Sequence, residues 1–324
     1  MRKFLDIENI KKISIFLLLY NTVSYQMLLR LADIMLKLDK SMAYGLCLAL
    51  LSQVLFAVVS LFGVWMKPLS GTDVFAVRMP AMLCGILAIL LPSVGWRSLR
   101  DFVREHLGTN VQQWLLMLVG TAIVGSQFWL FMWAPVNGHG VNLAMGYFLF
   151  PLVMALLGRV VLKEVLTPVQ IGALSLAAAG VGHELWVSHS FSWVSFWACA
   201  AYPPYYLLRR AQGIPVLHGL AIDLCLITPF ALWHVLGSAD VVSHLVHMPK
   251  YWLLVPALGV VSALSMSANL KASALLPVSV FSMLSYVEPA LIFLLSVTVF
   301  NSPVSEGAYV TYGLIWSGLG LLLL

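Results

Sequence analysis

Long apolar runs alternate with short polar breaks along this chain. The runs fall at about 43–66, 75–96, 113–134, 141–162, 168–187, 192–208, 218–237, 250–270, 276–300 and 304–324. Each comes close to the ~20 residues that carry a helix across ~30 Å of hydrocarbon. The strict apolar–polar alternation of a membrane barrel strand is absent from the sequence. The pattern predicts an all-α polytopic membrane protein with ten transmembrane helices. The breaks hold Pro, Gly, Ser and charge and are too short for an extramembrane domain. No GxxxxGK[ST] loop occurs, which argues against a pump with its own ATP-driven motor.

Residues 1–41 depart from the pattern. The run "ISIFLLLY" is followed by Arg30, Asp33 and Lys37, so it is too short and too charged to span. It has no AxA-like cleavage site of a signal peptide. We read 1–41 as a disordered or interfacial arm, with Met42 as an alternative start of translation.

Composition sharpens the class. Of 324 residues, 61% are hydrophobic and 10% charged, where soluble chains carry about 25% charge. The net charge of +5 is read as cytoplasmic loops, not as nucleic-acid binding. Cys47, Cys84, Cys199 and Cys225 are scattered through apolar runs without a CxxC pair, so neither a disulfide nor a metal site is expected. Arg97, Arg100, Arg104, Arg159, Lys163, Arg209, Arg210 and Lys271 all fall on one side of the ten-span map, against Lys67 and Lys250 on the other, with Arg78 just inside span 2. The first side is then cytoplasmic, and both ends of the ten-span core face inward. Arg97, Arg100 and Arg104 share one helix face, away from Leu99, Phe102, Val103 and Leu107, which predicts a stretch lying along the membrane surface.

An internal match links the halves. Shifted by 138 residues, Met145 falls on Met283, Phe148 on Tyr286, Pro151 on Pro289 and Val161 on Val299. The same register carries Gly180–Gly182 onto Gly318–Gly320. A duplicated unit of five spans must insert its second copy upside down, giving an inverted-topology repeat. Pro151 and Pro289 each remove a backbone donor near the centre of a span. Paired interruptions of this kind point to a substrate site, while ordinary kinks accommodated by neighbouring helices are the plainer account.

The stretch "WLFMWAPVNGHGVNLAMGYFLFPLVMALLGRVVLKE" resembles the third and fourth helices of RarD-like permeases, EamA-domain proteins of the drug/metabolite transporter superfamily. "LPVSVFSMLSYVEPALIFLLSV" is similar to the matching helix of the second repeat. The resemblance covers about 43–324 and implies two inverted five-helix EamA repeats, 42–187 and 188–324, around a cavity open alternately to either side. It also implies a bacterial inner-membrane location. The family usually closes each half with Gly-Glu; here stand Lys163-Glu164 and Asn301-Ser302. Phe56, Ala57 and Ser60 replace the Trp, Gly and Pro typical of the first helix.

Several polar residues are candidates for the cavity. Glu288 stands beside Pro289 near the centre of span 9, where a charge costs ~2.5–3.5 kcal/mol on insertion scales. It either meets substrate, carries a coupling proton, or caps backbone freed by the proline. Asp223, with His218 a turn before it, makes either a substrate contact or an interhelical hydrogen bond. Trp129, Trp133, Asn142 and Tyr147 flank the loop "PVNGHG"; with Asn269 and Tyr286 they form either cavity wall or, for the aromatics, interface belt. Gly180, Gly182, Gly318 and Gly320 are assigned to close helix contacts. "HELWV" at 183–187 has Val187 where HExxH needs its second histidine, so no zinc site is expected. His244 and His247 fall in an outer loop.

The sequence thus points to a secondary permease for small metabolites, amino-acid-like or drug-like compounds, probing a midplane cavity from alternate sides. It would need no cofactor; ion or proton coupling stays open. Its partners would be a small-molecule substrate and the lipid bilayer, with a homodimer also open. The alternatives are an intramembrane lipid-modifying enzyme, against which the acids are scattered and not clustered at one face, and a non-transporting scaffold.

Overall fold

The computed structural model describes residues 40–188 and 192–291, with seven further positions between 310 and 321. Residues 1–39, the last third of the ninth run and most of the tenth run lie outside the described residues. No strand occurs among the described residues. Helices satisfy every backbone donor and acceptor within the segment, which hydrocarbon surroundings demand.

The helices are α1 (Lys40–Trp65), α2 (Gly71–Ser93), α3 (Trp96–Phe102), α4 (Val111–Val136), α5 (Gly140–Val161), α6 (Pro168–Ser188), α7 (Trp193–Gln212), α8 (Val216–Gly237), α9 (Ala239–His247), α10 (Lys250–Leu275) and α11 (Val278–Leu284). A further turn of helix follows α11 through Leu291. Among the described residues, six helices are long and apolar enough to cross a membrane: α1, α2, α4, α5, α8 and α10. α7 is as long as a span but more polar, because Tyr202, Tyr205, Tyr206 and Arg209 share its length. All four lie along one flank at positions i, i+3, i+4 and i+7, the spacing of one helix face.

Local chemistry sets the helix ends. Ser70 caps α2, accepting from the Asp73 amide at 3.2 Å, while Asp73 accepts from the Ser70 amide at 3.0 Å; this is a capping box. Asn110 caps α4 through the Gln113 amide. Pro168 opens α6, and Pro215, Pro249 and Pro277 precede α8, α10 and α11. There the missing N–H costs nothing. Gly213 closes α7 at φ 62°, a left-handed conformation that glycine adopts without Cβ strain. α3 continues as a π turn, Val103–Leu107; Leu99, Phe102 and Leu107 face inward while Arg97, Arg100 and Arg104 stay exposed.

The bundle core joins helices distant in sequence. α1 lies along α10, α2 packs on α8 and α10, and α5 packs on α7. Small residues permit these approaches. A Cβ on Gly259 of α10 would lie 2.5 Å from the Ala81 carbonyl oxygen, and one on Gly146 of α5 would lie 2.4 Å from Ala198 Cβ. Of the glycines assigned to close contacts from the sequence, Gly318 fits, its Cβ position being 2.7 Å from the Ala173 carbonyl oxygen of α6. Gly180 is buried. Gly182 corrects the expectation: it faces outward, with nothing within 4 Å of a Cβ among the described residues. Gly320 lies outside the described residues.

Two observations concern the halves. Met145 and Phe148 of α5 share one buried cluster with Met283 and Tyr286, the residues they match under the 138-residue shift. Glu164, just after α5, accepts from the amides of Val278 (2.9 Å) and Ser279 (3.2 Å) at the start of α11. A carboxylate there satisfies orphan donors and complements the helix dipole.

Candidate functional site

An interior space lies where α1, α2, α4, α5, α7, α10 and the segment after α11 converge. Its volume is about 40 Å³, room for a few water-sized molecules. Arg78 enters from α2, Glu288 from the turn after α11, Gln53 from α1 and Asn269 from α10. Aromatic side chains fill most of the remaining wall, among them Phe128 and Phe131 of α4, Phe150 of α5 and Tyr202 of α7.

Arg78 is 1% exposed. Its Nε donates to Ser262 Oγ at 2.9 Å, and its guanidinium carbon sits 5.1 Å from the Phe128 ring centre and 5.9 Å from that of Phe131. These are cation–π distances. Its Nη1 has no hydrogen-bond partner among the described residues, and neither has Gln53 Oε1. No direct ion pair joins Arg78 to Glu288 among the described residues. Both side chains line the cavity without touching each other.

The two prolines serve this wall. Pro151 lacks the N–H that would bond the Tyr147 carbonyl, and Pro289 the one that would bond Ser285, four residues back in each case. Tyr147 and Ser285 both line the cavity, as does Pro289 itself. α5 runs unbroken through Pro151, whereas the helix at Pro289 is interrupted at Ser285 and Tyr286.

On one side the cavity ends at a hydrogen-bonded partition. Tyr206 of α7 donates to Asn269 Oδ1, and Asn269 Nδ2 donates to Ser52 Oγ at 3.1 Å. Beyond Tyr206 lies a cleft of about 240 Å³ lined by Arg209, Arg210 and Ser273. Tyr206 belongs to both walls.

Of the residues expected at the cavity, Tyr147, Asn269 and Glu288 line it. Four do not. Trp129 donates to Thr72 Oγ1 at 3.2 Å and stacks on Trp133. Asn142 stays at the start of α5 beside His139, its carbonyl accepting from Ser195. Tyr286 is buried in the cluster behind the wall. Asp223 accepts from Arg209 at 2.5 Å, Thr121 at 2.5 Å and Tyr205 at 3.0 Å. This buried ion pair removes Arg209 from the loop cations with which the sequence grouped it. His218 bonds Ser98 at 3.0 Å instead of Asp223. Arg78 was the missed residue; it lies two turns inside α2 in "FAVRMPAM", an apolar setting that marks an intramembrane cation.

Membrane-length helices around an interior cavity lined by both Arg78 and Glu288 define a multi-pass helical membrane protein with an internal chamber. No family model matches the chain. It is 51% identical over 280 residues to an uncharacterized transporter of Haemophilus influenzae, covering 86% of this chain and 93% of that one. It is 36% identical to the chloramphenicol-sensitive protein RarD of Pseudomonas aeruginosa, covering 84% and 91%. A solved crystal structure superposes with a TM-score of 0.64 at 16% identity over 86% of this chain and 96% of its own, a likeness of fold alone. The chain belongs to the RarD-like family of transporters.

Proposed function

We propose that this chain is a secondary permease that moves small metabolites by alternating access around the Arg78–Glu288 cavity. The observation that carries the reading is two ionisable groups, the buried Arg78 and the half-buried Glu288, on one chamber wall. Each costs ~2.5–3.5 kcal/mol at membrane depth on insertion scales. Groups so costly mark a pathway or a ligand site. That several relatives are named uncharacterized transporters supports the same reading and speaks against an intramembrane enzyme.

The architecture behind the reading is ten helices in two inverted EamA-type repeats, 42–187 and 188–324, preceded by the 1–41 arm. Helix neighbours support it. Exchanging equivalent helices turns α1–α10 into α7–α4, α2–α10 into α8–α4 and α5–α7 into α11–α1, and every one of these pairs is in contact. The chain would sit in the bacterial inner membrane with both ends of its core in the cytoplasm. The narrow cavity and the Tyr206–Asn269 partition fit a state that must widen before substrate enters. The substrate is a small, amino-acid-like or drug-like compound, and export is its direction. Coupling to a proton or another ion is read from the dependence of flux on each gradient.

The test is transport itself. A deletion strain and an overexpressing strain should differ in metabolites released to the medium, and proteoliposomes should reproduce the flux. Equal release from both strains, with no flux from proteoliposomes, refutes the permease.

A further inference from the structure

From the charges on the cavity wall, we infer that the substrate is a small zwitterion with an apolar body. Its carboxylate would be held by Arg78, its ammonium by Glu288, and its body by Phe128, Phe131 and Phe150. The inference rests on the permease reading and goes further by naming the substrate class.

Arg78 is the strongest sign. Its guanidinium is almost wholly buried, one nitrogen is engaged by Ser262 and Nη1 is free among the described residues. A buried donor left unmade is costly, more so when charged. Guanidinium and carboxylate match in a two-pronged geometry that few other acceptors reach. Glu288 supplies a carboxyl on the same wall and forms no contact ion pair with a described residue.

Charge balance selects between ligand classes. With Glu288 ionised, as a neighbouring ammonium would hold it, the two side chains together are neutral. An anion would pair with Arg78 and leave Glu288 alone; a cation would do the reverse. An unpaired charge at low dielectric is costly. A neutral ligand would leave both unsatisfied. A zwitterion pairs each charge and adds no net charge to the chamber. The aromatic walls would accept a hydrophobic body, which fixes orientation while the two ends confer selectivity.

The probes are phenylalanine (both charges), phenylalanine amide (cation only) and 3-phenylpropanoate (anion only). Full-length protein is reconstituted into liposomes loaded with a soluble metabolite extract, and release is followed by mass spectrometry with each probe as competitor. We expect zwitterions to dominate the released compounds. Phenylalanine should compete at least about tenfold better than either singly charged probe, about 1.4 kcal/mol. Two variants then give a crossed pattern. Arg78→Gln should abolish the preference for phenylalanine over its amide and keep the preference over 3-phenylpropanoate. Glu288→Gln should do the converse. A merely structural role would weaken all three probes alike. If Arg78→Gln fails to fold, Arg78→Lys replaces it, which keeps charge but loses the two-pronged geometry and should reduce the same preference.

The outcomes separate the two readings. Release of neutral or singly charged compounds, or equal competition by all three probes, overturns the zwitterion and leaves the permease standing. Absence of any release over empty liposomes overturns the permease and this inference with it.

Discussion

Two pairs of a basic and an acidic side chain lie within this bundle, and their partners tell them apart. Asp223 receives Arg209, Thr121 and Tyr205 within 3.0 Å. Arg78 and Glu288 stop short of each other and face the chamber. The first pair is closed on itself and acts on stability. Removing one member of such a pair leaves a buried charge uncompensated, at roughly 3–5 kcal/mol, while an apolar replacement of both is often tolerated. Asp223→Ala should therefore lower yield and melting temperature, and Asp223→Leu with Arg209→Met should restore both in a thermal-shift assay. Loss of stability in the double variant equal to that in Asp223→Ala would show that the apolar pair cannot replace the ionic one. Glu288→Gln should leave the melting temperature near the parent value while flux falls. The sequence marked Asp223 and Glu288 alike, as acids inside apolar runs. It could not separate them, because the partner that decides, Arg209, comes from another helix and resembled a loop cation.

At the scale of the element, proline and glycine made the helices legible. Pro168, Pro215, Pro249 and Pro277 stand at helix starts and Gly213 at a helix end, where the expected spans also break. What stayed hidden was orientation about the helix axis. Tyr202, Tyr206 and Arg209 form an inward stripe of α7, but a membrane helix can direct polar groups to a chamber or to a neighbour, and periodicity alone does not say which. The break at Ser285–Tyr286 carries a second consequence. Pro289→Ala would return a donor to the Ser285 carbonyl and favour one continuous helix. We expect phenylalanine binding within about twofold of the parent but slower release from proteoliposomes, since the segment would lose a hinge. Unchanged release would assign Pro289 to local shape alone. Glu164 supplies a complementary case. Its carboxylate holds the first amides of α11, so Glu164→Ala should cost ~0.5–2 kcal/mol, the range of a lost helix cap, read as a lower melting temperature that Glu164→Asp partly recovers.

At the scale of the whole molecule, the question is which face is inward. The 138-residue match was readable because prolines and methionines recur in the two halves at the same spacing. The contacts between the halves were not, since α1 meets α10 some 200 positions away and only the folded bundle shows it. Orientation rests on charge, and folding changes the count. Arg209 is lost to its buried pair, but Arg97, Arg100, Arg104, Arg159, Lys163, Arg210 and Lys271 remain exposed on one side, joined by Lys40 at the start of α1. On the other side Lys67 and Lys250 are exposed. Because the bias follows cations near span ends and not net charge, the first side should be cytoplasmic. The native cysteines are replaced first, since Cys47, Cys84 and Cys225 are exposed. Two single cysteines then probe opposite faces: Thr109→Cys between α3 and α4, and Asp240→Cys in α9, both at exposed positions. A membrane-impermeant maleimide added to intact spheroplasts should label Asp240→Cys and leave Thr109→Cys untouched until the membrane is opened. The reverse pattern would invert the orientation, and labelling of both from outside would mean that the two loops do not lie on opposite faces, breaking the helix alternation on which the inverted repeat depends.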